Sequence, residues 1–243
     1  MPNPTIFVIT VCRNAVNLIE DTIKSVLSQT YPNVKYLIID GASTDGTVEI
    51  IKRYEDRLAY WCSEPDKGIY DAMNKGLAKA REMVDGEECW VNFMNAGDTF
   101  VSETTIEQVF GQADLNYEKL KMIGGGTWNI YNDTTKTFLD PAKPPYVIPN
   151  EIPFSHQASF TRLEVCSFNP KYKIAADYAV MYNLFFDYGI DSIASIELPV
   201  ANYQKDDSFS TLNPKKAKGE YLAIQSKHRT WRWWKEYLKW RLL

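Results

Sequence analysis

The residues of this chain that are best suited to chemistry follow short apolar runs. The segment 40–47, Asp-Gly-Ala-Ser-Thr-Asp-Gly-Thr, places a carboxylate at the end of one such run and adds hydroxyl groups and two glycines, which allow tight turns. A carboxylate in this place can accept hydrogen bonds from a nucleobase imide or a ribose hydroxyl. The same residue types are common in a capped turn between a strand and a helix. The segment alone leaves both interpretations open.

Two further segments carry charge at comparable places. The segment 63–76 contains Asp66 and Lys67 in a turn, where the lysine can offset the charge of a diphosphate. The segment 90–98 ends in Asn95-Ala-Gly-Asp98, whose oxygen atoms suit a hard divalent cation that also bridges phosphates. In isolation, each segment is also consistent with a polar surface turn.

Hydrophobic periodicity indicates the elements that must position these segments. Apolar runs predict strands at 6–11, 34–39, 58–62 and 89–94, and helical periodicity predicts helices at 18–29, 47–54 and 70–81. This βαβαβαβ order predicts a parallel sheet with helices on both faces. Ligands bind such sheets at the carboxyl ends of the strands, which is where the polar segments lie.

The second half of the chain has a different sequence pattern. The triple glycine 124–126 and the Pro-rich segment 141–153 predict breaks in regular structure. A strand is predicted at 157–161, a helix at 175–186 and a strand at 193–198. No linker, repeat or low-complexity tract divides the chain, so we expect both halves to form one domain.

Composition excludes several classes of protein. A chain of 243 residues that is 45% hydrophobic can bury one sizeable core. Its formal net charge of -4 argues against nucleic acid as the main partner. The N-terminal residues lack the pattern of a signal peptide, and no stretch approaches the ~18 apolar residues of a membrane-spanning helix. With four widely spaced cysteines, these features predict a cytoplasmic protein with free thiols.

Together, the polar segments resemble glycosyltransferase family 2, and most closely its members that assemble bacterial capsules and exopolysaccharides. The segments are 10–14, 40–47, 63–76 and 95–98, in the same order after four successive predicted strands. The resemblance implies a GT-A fold, a Rossmann-like α/β domain with a mostly parallel sheet flanked by helices. It also implies that the chain is an inverting, metal-dependent glycosyltransferase. The donor would be a nucleoside diphosphate sugar, taken here as a UDP-sugar, and the acceptor a hydroxyl of a glycan or lipid-linked sugar.

The resemblance also implies roles for individual residues. It assigns donor binding to Thr10, Asp40 and Asp66, and acceptor binding to His156 and Gln157. Lys67 and Asn95 are added to the donor-binding residues because of their charge and their polar atoms. It makes Asp98 the carboxylate that contacts a Mn or Mg ion, and Asp177 the general base. From the residues alone, Asp177 is equally a carboxylate that favours a helix N-terminus, and His156 is equally a structural histidine. Because Asp98 is the only carboxylate in its loop, we expect weak cation binding without nucleotide.

Two other functions are compatible with parts of this pattern. A sugar nucleotidyltransferase has a similar layered fold, but it would carry a Gly-rich loop with a basic residue after the first strand, and residues 10–14 lack that glycine run. A nucleotide-binding or glycan-binding module without activity is disfavoured because both Asp98 and Asp177 are retained.

The last residues form a basic and aromatic tail. Residues 226–243 hold six Lys or Arg residues, one Glu and four of the seven tryptophans. We therefore predict a domain at 1–225, with a donor half at 1–100 and an acceptor half at 101–225, followed by this tail. The tail suits a helix that lies on an anionic membrane surface, or one that docks on the domain or on a second subunit.

Overall fold

The computed structural model describes residues 4–84, 86, 88–112, 114–131, 135–141, 154–204 and 213–227. Its first part consists of β1 (Thr5–Cys12), α1 (Ile19–Leu27), β2 (Val34–Asp40), α2 (Thr47–Lys52), β3 (Tyr60–Ser63), α3 (Ile69–Glu82) and β4 (Cys89–Phe93). Each of these elements overlaps the range predicted for it, so the βαβαβαβ order is confirmed.

The second part adds β5 (Thr99–Phe100), α4 (Thr105–Phe110), β6 (Met122–Tyr131), β7 (Thr135–Leu139), β8 (Ser159–Arg162), α5 (Ala176–Tyr188), β9 (Ile193–Gln204) and α6 (Pro214–Ser226). A short 3-10 helix, His156–Ala158, precedes β8, so the strand predicted at 157–161 begins later than expected. The helix predicted at 175–186 and the strand predicted at 193–198 are present as α5 and β9. The strands β5, β6 and β7 and the helices α4 and α6 were not predicted.

The described strands form one sheet in the order β3-β2-β1-β4-β8-β6-β9-β5, and β7 pairs with β6. The pairings among β1, β2, β3 and β4 are all parallel. Beyond them, β8 runs antiparallel to β4, and β6 runs antiparallel to β8. The sheet is therefore mixed: strand direction reverses where the two parts meet, and β6 and β9 are again parallel to each other.

Strand register places the polar segments side by side. Cys12 pairs with Asp40, and Asp40 pairs with Ser63, so β1, β2 and β3 end at the same edge. The loop after β4 continues along β1, since the backbone N of Met94 donates to the carbonyl oxygen of Ile9. The four segments singled out in the sequence therefore meet at one edge of the sheet.

Apolar clusters cover both faces of the sheet. Alternate residues of β1 belong to different clusters: Phe7 and Ile9 pack with α3 and α5, whereas Ile6 and Val8 pack with α1 and α4. Every residue of β1 is buried. Since burying one such side chain fully contributes roughly 1.5–3 kcal/mol, these two clusters account for much of the stability that holds the loops in place.

The triple glycine 124–126 does not break the chain, contrary to the prediction. It lies inside β6, where the pairing with β9 shifts register. A Cβ atom at Gly124 would overlap the ring of Phe154, and one at Gly126 would overlap the ring of Phe138. Glycine is present because aromatic rings pack directly on the backbone of this strand.

The C-terminal helix α6 packs on α5. The Tyr182 hydroxyl donates to the carbonyl oxygen of Gln225 at 3.1 Å, and Gln225 Nε2 donates to the Tyr178 hydroxyl at 3.2 Å. The predicted tail, apart from its first two residues, and the Pro-rich segment beyond Pro141 lie outside the described residues. Within the ranges described, no helix has both the length and the apolar character needed to cross a membrane.

Candidate active site

Asp40, the last residue of β2, anchors the loops at the sheet edge. Its Oδ2 accepts hydrogen bonds from the backbone N of Ser43 at 2.9 Å and from Ser63 Oγ at 2.6 Å. Its Oδ1 accepts from Ser43 Oγ and lies 3.5 Å from the Cys12 thiol. Burial, followed by the charge of Asp40, raises the pKa of this thiol. Asp40 is itself fully buried, and its hydrogen bonds join three loops. Its predicted contact with a nucleoside stays a prediction.

Asp66 lies against the same loop. A Cβ atom at residue 41 would overlap the Asp66 carboxylate, so Gly41 is required for this approach. Asp66 Oδ1 accepts a hydrogen bond from the backbone N of Gly68 at 2.8 Å. Asp66 is partly exposed and Lys67 is exposed. The structure therefore brings the predicted donor residues Asp40, Asp66 and Lys67 to one region.

Thr10 does not join this group. Its side chain is fully buried. The hydroxyl donates to the carbonyl oxygen of Met94 at 2.7 Å and lies 2.8 Å from the Tyr36 hydroxyl. Thr10 thus ties β1 to the loop after β4, and its predicted part in holding the nucleoside stays a prediction.

Asp98 lies in that loop and is 4% exposed. Gln157 Nε2 donates to its Oδ2 at 2.9 Å, and the backbone N of Gln204 donates to its Oδ1 at 3.1 Å. Burial raises the pKa of Asp98 to about 7, and the two hydrogen bonds oppose this only in part. Gln157 is also buried, and its amide holds Asp98. Its predicted contact with the acceptor stays a prediction.

The chemistry of Asp98 fits a cation that takes most of its ligands from elsewhere. Each carboxylate oxygen accepts one hydrogen bond from the protein and keeps a second lone pair. In the part of the chain that the structure describes, no group of three His, Cys, Asp or Glu side chains could hold a metal ion. Asp98 can therefore supply one carboxylate oxygen, and a cation held there would need further oxygen ligands, such as those of water or phosphate.

A chain of hydrogen bonds connects the loop after β4 with the start of α5. Asn95 Nδ2 lies 2.9 Å from His156 Nε2, and His156 Nδ1 lies 3.2 Å from Asp177 Oδ2. The His156 and Asp177 side chains are 19% and 16% exposed, so solvent reaches both. The predicted donor residue Asn95 and the predicted acceptor-side residues His156 and Asp177 thus meet in one place.

The Asp177 carboxylate is surrounded by hydrogen-bond donors. The backbone N of Tyr178 donates to Oδ1 at 2.8 Å, and the Tyr70 hydroxyl lies 3.1 Å from the same oxygen. Burial acts to raise the pKa of Asp177, but the hydrogen bonds and the charge interaction with His156 outweigh it and lower the pKa. Asp177 is also in the first turn of α5, so the two interpretations left open by the sequence apply together.

Two polar residues that were not selected from the sequence support this site. Asn92, buried within β4, donates through Nδ2 to the carbonyl oxygens of Gln157 and Ser159, both at 2.9 Å. Glu220 of α6 accepts hydrogen bonds from the backbone N–H groups of 173–175, directly before α5. An amide inside an apolar strand was an available signal for Asn92. Glu220 gives no local signal, because its partners lie 45 to 47 residues away.

The amino-acid sequence is similar to those of known glycosyltransferases. The family model described as Glycosyl transferase family 2 matches residues 7–162. The putative teichuronic acid biosynthesis glycosyltransferase TuaG of Bacillus subtilis (strain 168) is 37% identical over 94 residues, which are 36% of this chain and 37% of that protein. The chain spans about two fifths of the length of the curated relatives it matches first.

Solved structures share the fold at low sequence identity. S. aureus TarS 1-349 in complex with UDP-GlcNAc has a TM-score of 0.66 and 14% identity, over 91% of this chain and 65% of that chain. Glucosyl-3-phosphoglycerate synthase from Mycobacterium tuberculosis, in complex with Mn²⁺, UDP and glucosyl-3-phosphoglycerate, has a TM-score of 0.59 and 17% identity, over 92% and 80% of the two chains. These likenesses confirm the predicted GT-A fold.

Proposed function

The chain belongs to glycosyl transferase family 2, and we propose that it moves a sugar, with inversion, from a UDP-sugar to a hydroxyl group during synthesis of a bacterial surface polysaccharide. The hydrogen-bonded chain Asn95–His156–Asp177 gives this proposal its main support. It joins the loop after β4, on the donor side, to the start of α5, on the acceptor side. The teichuronic acid in the name of the Bacillus relative supports the class of product.

On the donor side, the side chains at the sheet edge match the polar groups of uridine. The uracil N3–H and the ribose hydroxyls are hydrogen-bond donors, and the partly exposed carboxylate of Asp66 is an acceptor. The exposed Lys67 adds positive charge that would offset the diphosphate. TarS with UDP-GlcNAc and the synthase with UDP support uridine as the nucleoside.

Asp98 would hold a Mn or Mg ion together with oxygens of the donor diphosphate. Such an ion neutralises the charge that develops on the departing nucleotide. The protein's own part is to fix the Asp98 carboxylate, which Gln157 and Gln204 do through their hydrogen bonds. The Mn²⁺ in the M. tuberculosis synthase supports this assignment.

On the acceptor side, the pair His156 and Asp177 would receive the proton of the attacking hydroxyl. Inversion in one displacement requires a base on the face of the sugar opposite the leaving group. The resemblance assigns this role to Asp177, and the contact with His156 makes the two side chains one unit. A lipid-linked acceptor and peripheral membrane contact through the tail belong to the same proposal.

Calorimetric titration with UDP, GDP and dTDP in the presence of Mn tests the donor assignment. We expect UDP to bind and the other two nucleotides to bind much more weakly. Asp66→Asn should weaken UDP binding, because it removes an anionic acceptor at the sheet edge. The matched variant Asp56→Asn, an exposed residue between α2 and β3, should leave it unchanged. Binding of GDP or dTDP without binding of UDP would show that the assignment is wrong.

A further inference from the structure

We propose that the outer side of α6 and the loop before α5 bind an anionic lipid surface, and so hold the acceptor side of the site against a membrane. This role rests on the proposed transfer to a lipid-linked acceptor, and it adds a surface of the folded domain to the tail. The surface, called the basic face below, consists of seven exposed residues: Lys171, Lys173, Lys215, Lys216, Lys218, Leu222 and Lys227.

Two contacts join the segments that carry the basic face. The Glu220 carboxylate of α6 accepts hydrogen bonds from the backbone N–H groups of 173–175 at 2.9 to 3.0 Å. At the end of α6, Lys227 Nζ lies 5.3 Å from the centre of the Tyr172 ring. The helix therefore lies along the loop, and the lysines of both segments form one surface.

The helical repeat of α6 separates a packed side from an outer side. Ala217 and Ile224 are buried and point the helix toward the core. Lys215, Lys218 and Leu222 are spaced by three and four residues, so they share one side of the helix. All three are exposed, and Leu222 is 48% exposed. The outer side thus presents an apolar side chain next to two lysines.

The charge of the basic face is opposite to that of the whole chain. The segments 169–175 and 213–227 contain six lysines and one acidic residue, Glu220, whereas the formal net charge of the chain is -4. Glu220 is engaged by the backbone N–H groups. Among the residues that the structure describes, none of the six lysines forms an ion pair within 4 Å. The lysines are therefore available to an external anionic surface.

Two features favour a lipid surface over a soluble polyanion. A soluble polyanion offers no apolar phase for the exposed Leu222, whereas the boundary between lipid headgroups and acyl chains does. The sequence also continues from Lys227 into five basic residues and four tryptophans at 228–243. Basic and aromatic residues are the types that suit a membrane–water interface. The basic face and the tail are therefore adjacent along the chain and suited to the same partner.

The loop of the basic face leads directly into the proposed acceptor side. Residues 173–175 end two residues before Asp177, in the first turn of α5. The Tyr70 hydroxyl donates to the carbonyl oxygen of Ile174 at 2.6 Å and lies 3.1 Å from Asp177 Oδ1. A membrane bound at the basic face would therefore lie next to Asp177, where a lipid-linked sugar must enter.

Co-sedimentation of the full chain with vesicles of phosphatidylglycerol and phosphatidylcholine tests the basic face. Lys215→Gln combined with Lys218→Gln should weaken binding about 25-fold, since each basic residue near an anionic surface contributes about fivefold. Leu222→Ser should weaken it without a change of charge. The matched control combines Lys52→Gln with Lys119→Gln, two exposed lysines elsewhere, and should keep the wild-type affinity.

Three results would overturn the proposal: no binding of the wild type to these vesicles, equal losses in the two double variants, or competition by polygalacturonate with Leu222→Ser unchanged. The last result would identify a soluble acidic glycan as the partner. Thermal unfolding checks that the variants fold, and Lys215→Gln alone, with an expected loss of about fivefold, decides if the double variant does not. Vesicle binding requires no sugar transfer, so failure to release UDP would count only against the proposed function.

Discussion

At the scale of single residues, the site contains two carboxylates in opposite environments. Asp98 is buried with two uncharged donors, and burial raises its pKa to about 7. Asp177 is partly exposed; its partial burial acts to raise its pKa, but contacts with His156, Tyr178 and Tyr70 outweigh this effect and lower it. Near neutral pH, Asp177 is therefore ionised, whereas Asp98 without a cation is partly protonated. A cation at Asp98 would bind in competition with that proton.

Asp98→Asn should remove a pH dependence from the stability of the cation-free protein. The folded-state pKa of Asp98, about 7, exceeds the ordinary value of 3.8. Between these values the folded protein binds more protons than the unfolded chain, so the free energy of unfolding falls as pH rises. One pKa unit corresponds to about 1.4 kcal/mol. Urea unfolding in EDTA from about pH 4 to about pH 7 measures the slope. Equal slopes in wild type and variant would contradict the assignment.

The sequence indicates which loop residues lie near one another, but it does not indicate how side chains of fully buried strands are oriented. Asp66, Asn95, His156 and Asp177 lie where the sequence predicted, because loops at one sheet edge must meet. The burial of the Thr10 side chain could not be predicted, because every residue of β1 is buried and no polar alternation shows which side chains face the core. Only the contacts with Tyr36 and Met94 reveal its orientation.

At the scale of elements, β6 shows how packing overrides local propensity. Gly124→Ala should destabilise the protein by about 1–3 kcal/mol, because the new methyl group would overlap the ring of Phe154. Since Phe154 lies two residues before His156, UDP release should slow as well. The matched variant Gly219→Ala lies in α6 with no atom within 4 Å of the added methyl, and it should stabilise by up to about 1 kcal/mol. Thermal unfolding measures the stability of both variants. Equal shifts of the two melting temperatures would contradict the predicted overlap with Phe154.

The contact between α6 and the start of α5 is a second test at this scale. Glu220→Gln should lower the free energy of unfolding by about 1–2 kcal/mol, because an anionic acceptor for the backbone N–H groups of 173–175 is replaced by an amide. Transfer should slow more than UDP binding weakens, since Asp177 follows directly. Urea unfolding and calorimetry measure the two effects, with exposed Glu118→Gln as the control. A variant indistinguishable from this control would show that α6 does not hold α5.

Some helices and strands can be predicted from local sequence patterns, whereas others depend on contacts with distant residues. The elements β1 to β4 and α1 to α3 were found because apolar runs and helical periodicity are local signals. The strand β6 was missed because its glycines fit rings of Phe154 and Phe138, which come from elsewhere in the chain. The antiparallel position of β8 beside β4 rests on pairings such as Val91 with Thr161, which no local pattern specifies.

At the scale of the whole molecule, the residues that the family model matches do not include the whole candidate site. The family model covers residues 7–162, which include the donor loops and His156. Asp177 and Glu220 lie beyond that match, on helices that pack against each other. The proposed acceptor side therefore lies partly outside the residues that the family model matches.

Truncation after Lys227 should weaken binding to anionic vesicles without changing UDP release. The removed residues 228–243 carry five basic residues, one Glu and four tryptophans, and each basic residue near an anionic surface can add about 1 kcal/mol of attraction. The cut keeps α6 complete, so its contacts with α5 are retained. Co-sedimentation with vesicles that contain phosphatidylserine, and with neutral vesicles as control, measures the effect. Unchanged binding, or a loss of thermal stability, would favour a tail docked on the protein.

The central claim is that donor loops and the His156 and Asp177 pair act together in cation-assisted transfer from a UDP-sugar. Nucleotide release from a panel of uridine, guanosine and thymidine sugars, with Mn or with EDTA, tests it most directly. We expect release of UDP from at least one uridine sugar with Mn, loss of that release in EDTA, and loss in Asp98→Ala with the fold intact. Release from guanosine or thymidine sugars only, or from none of the panel, would contradict the claim.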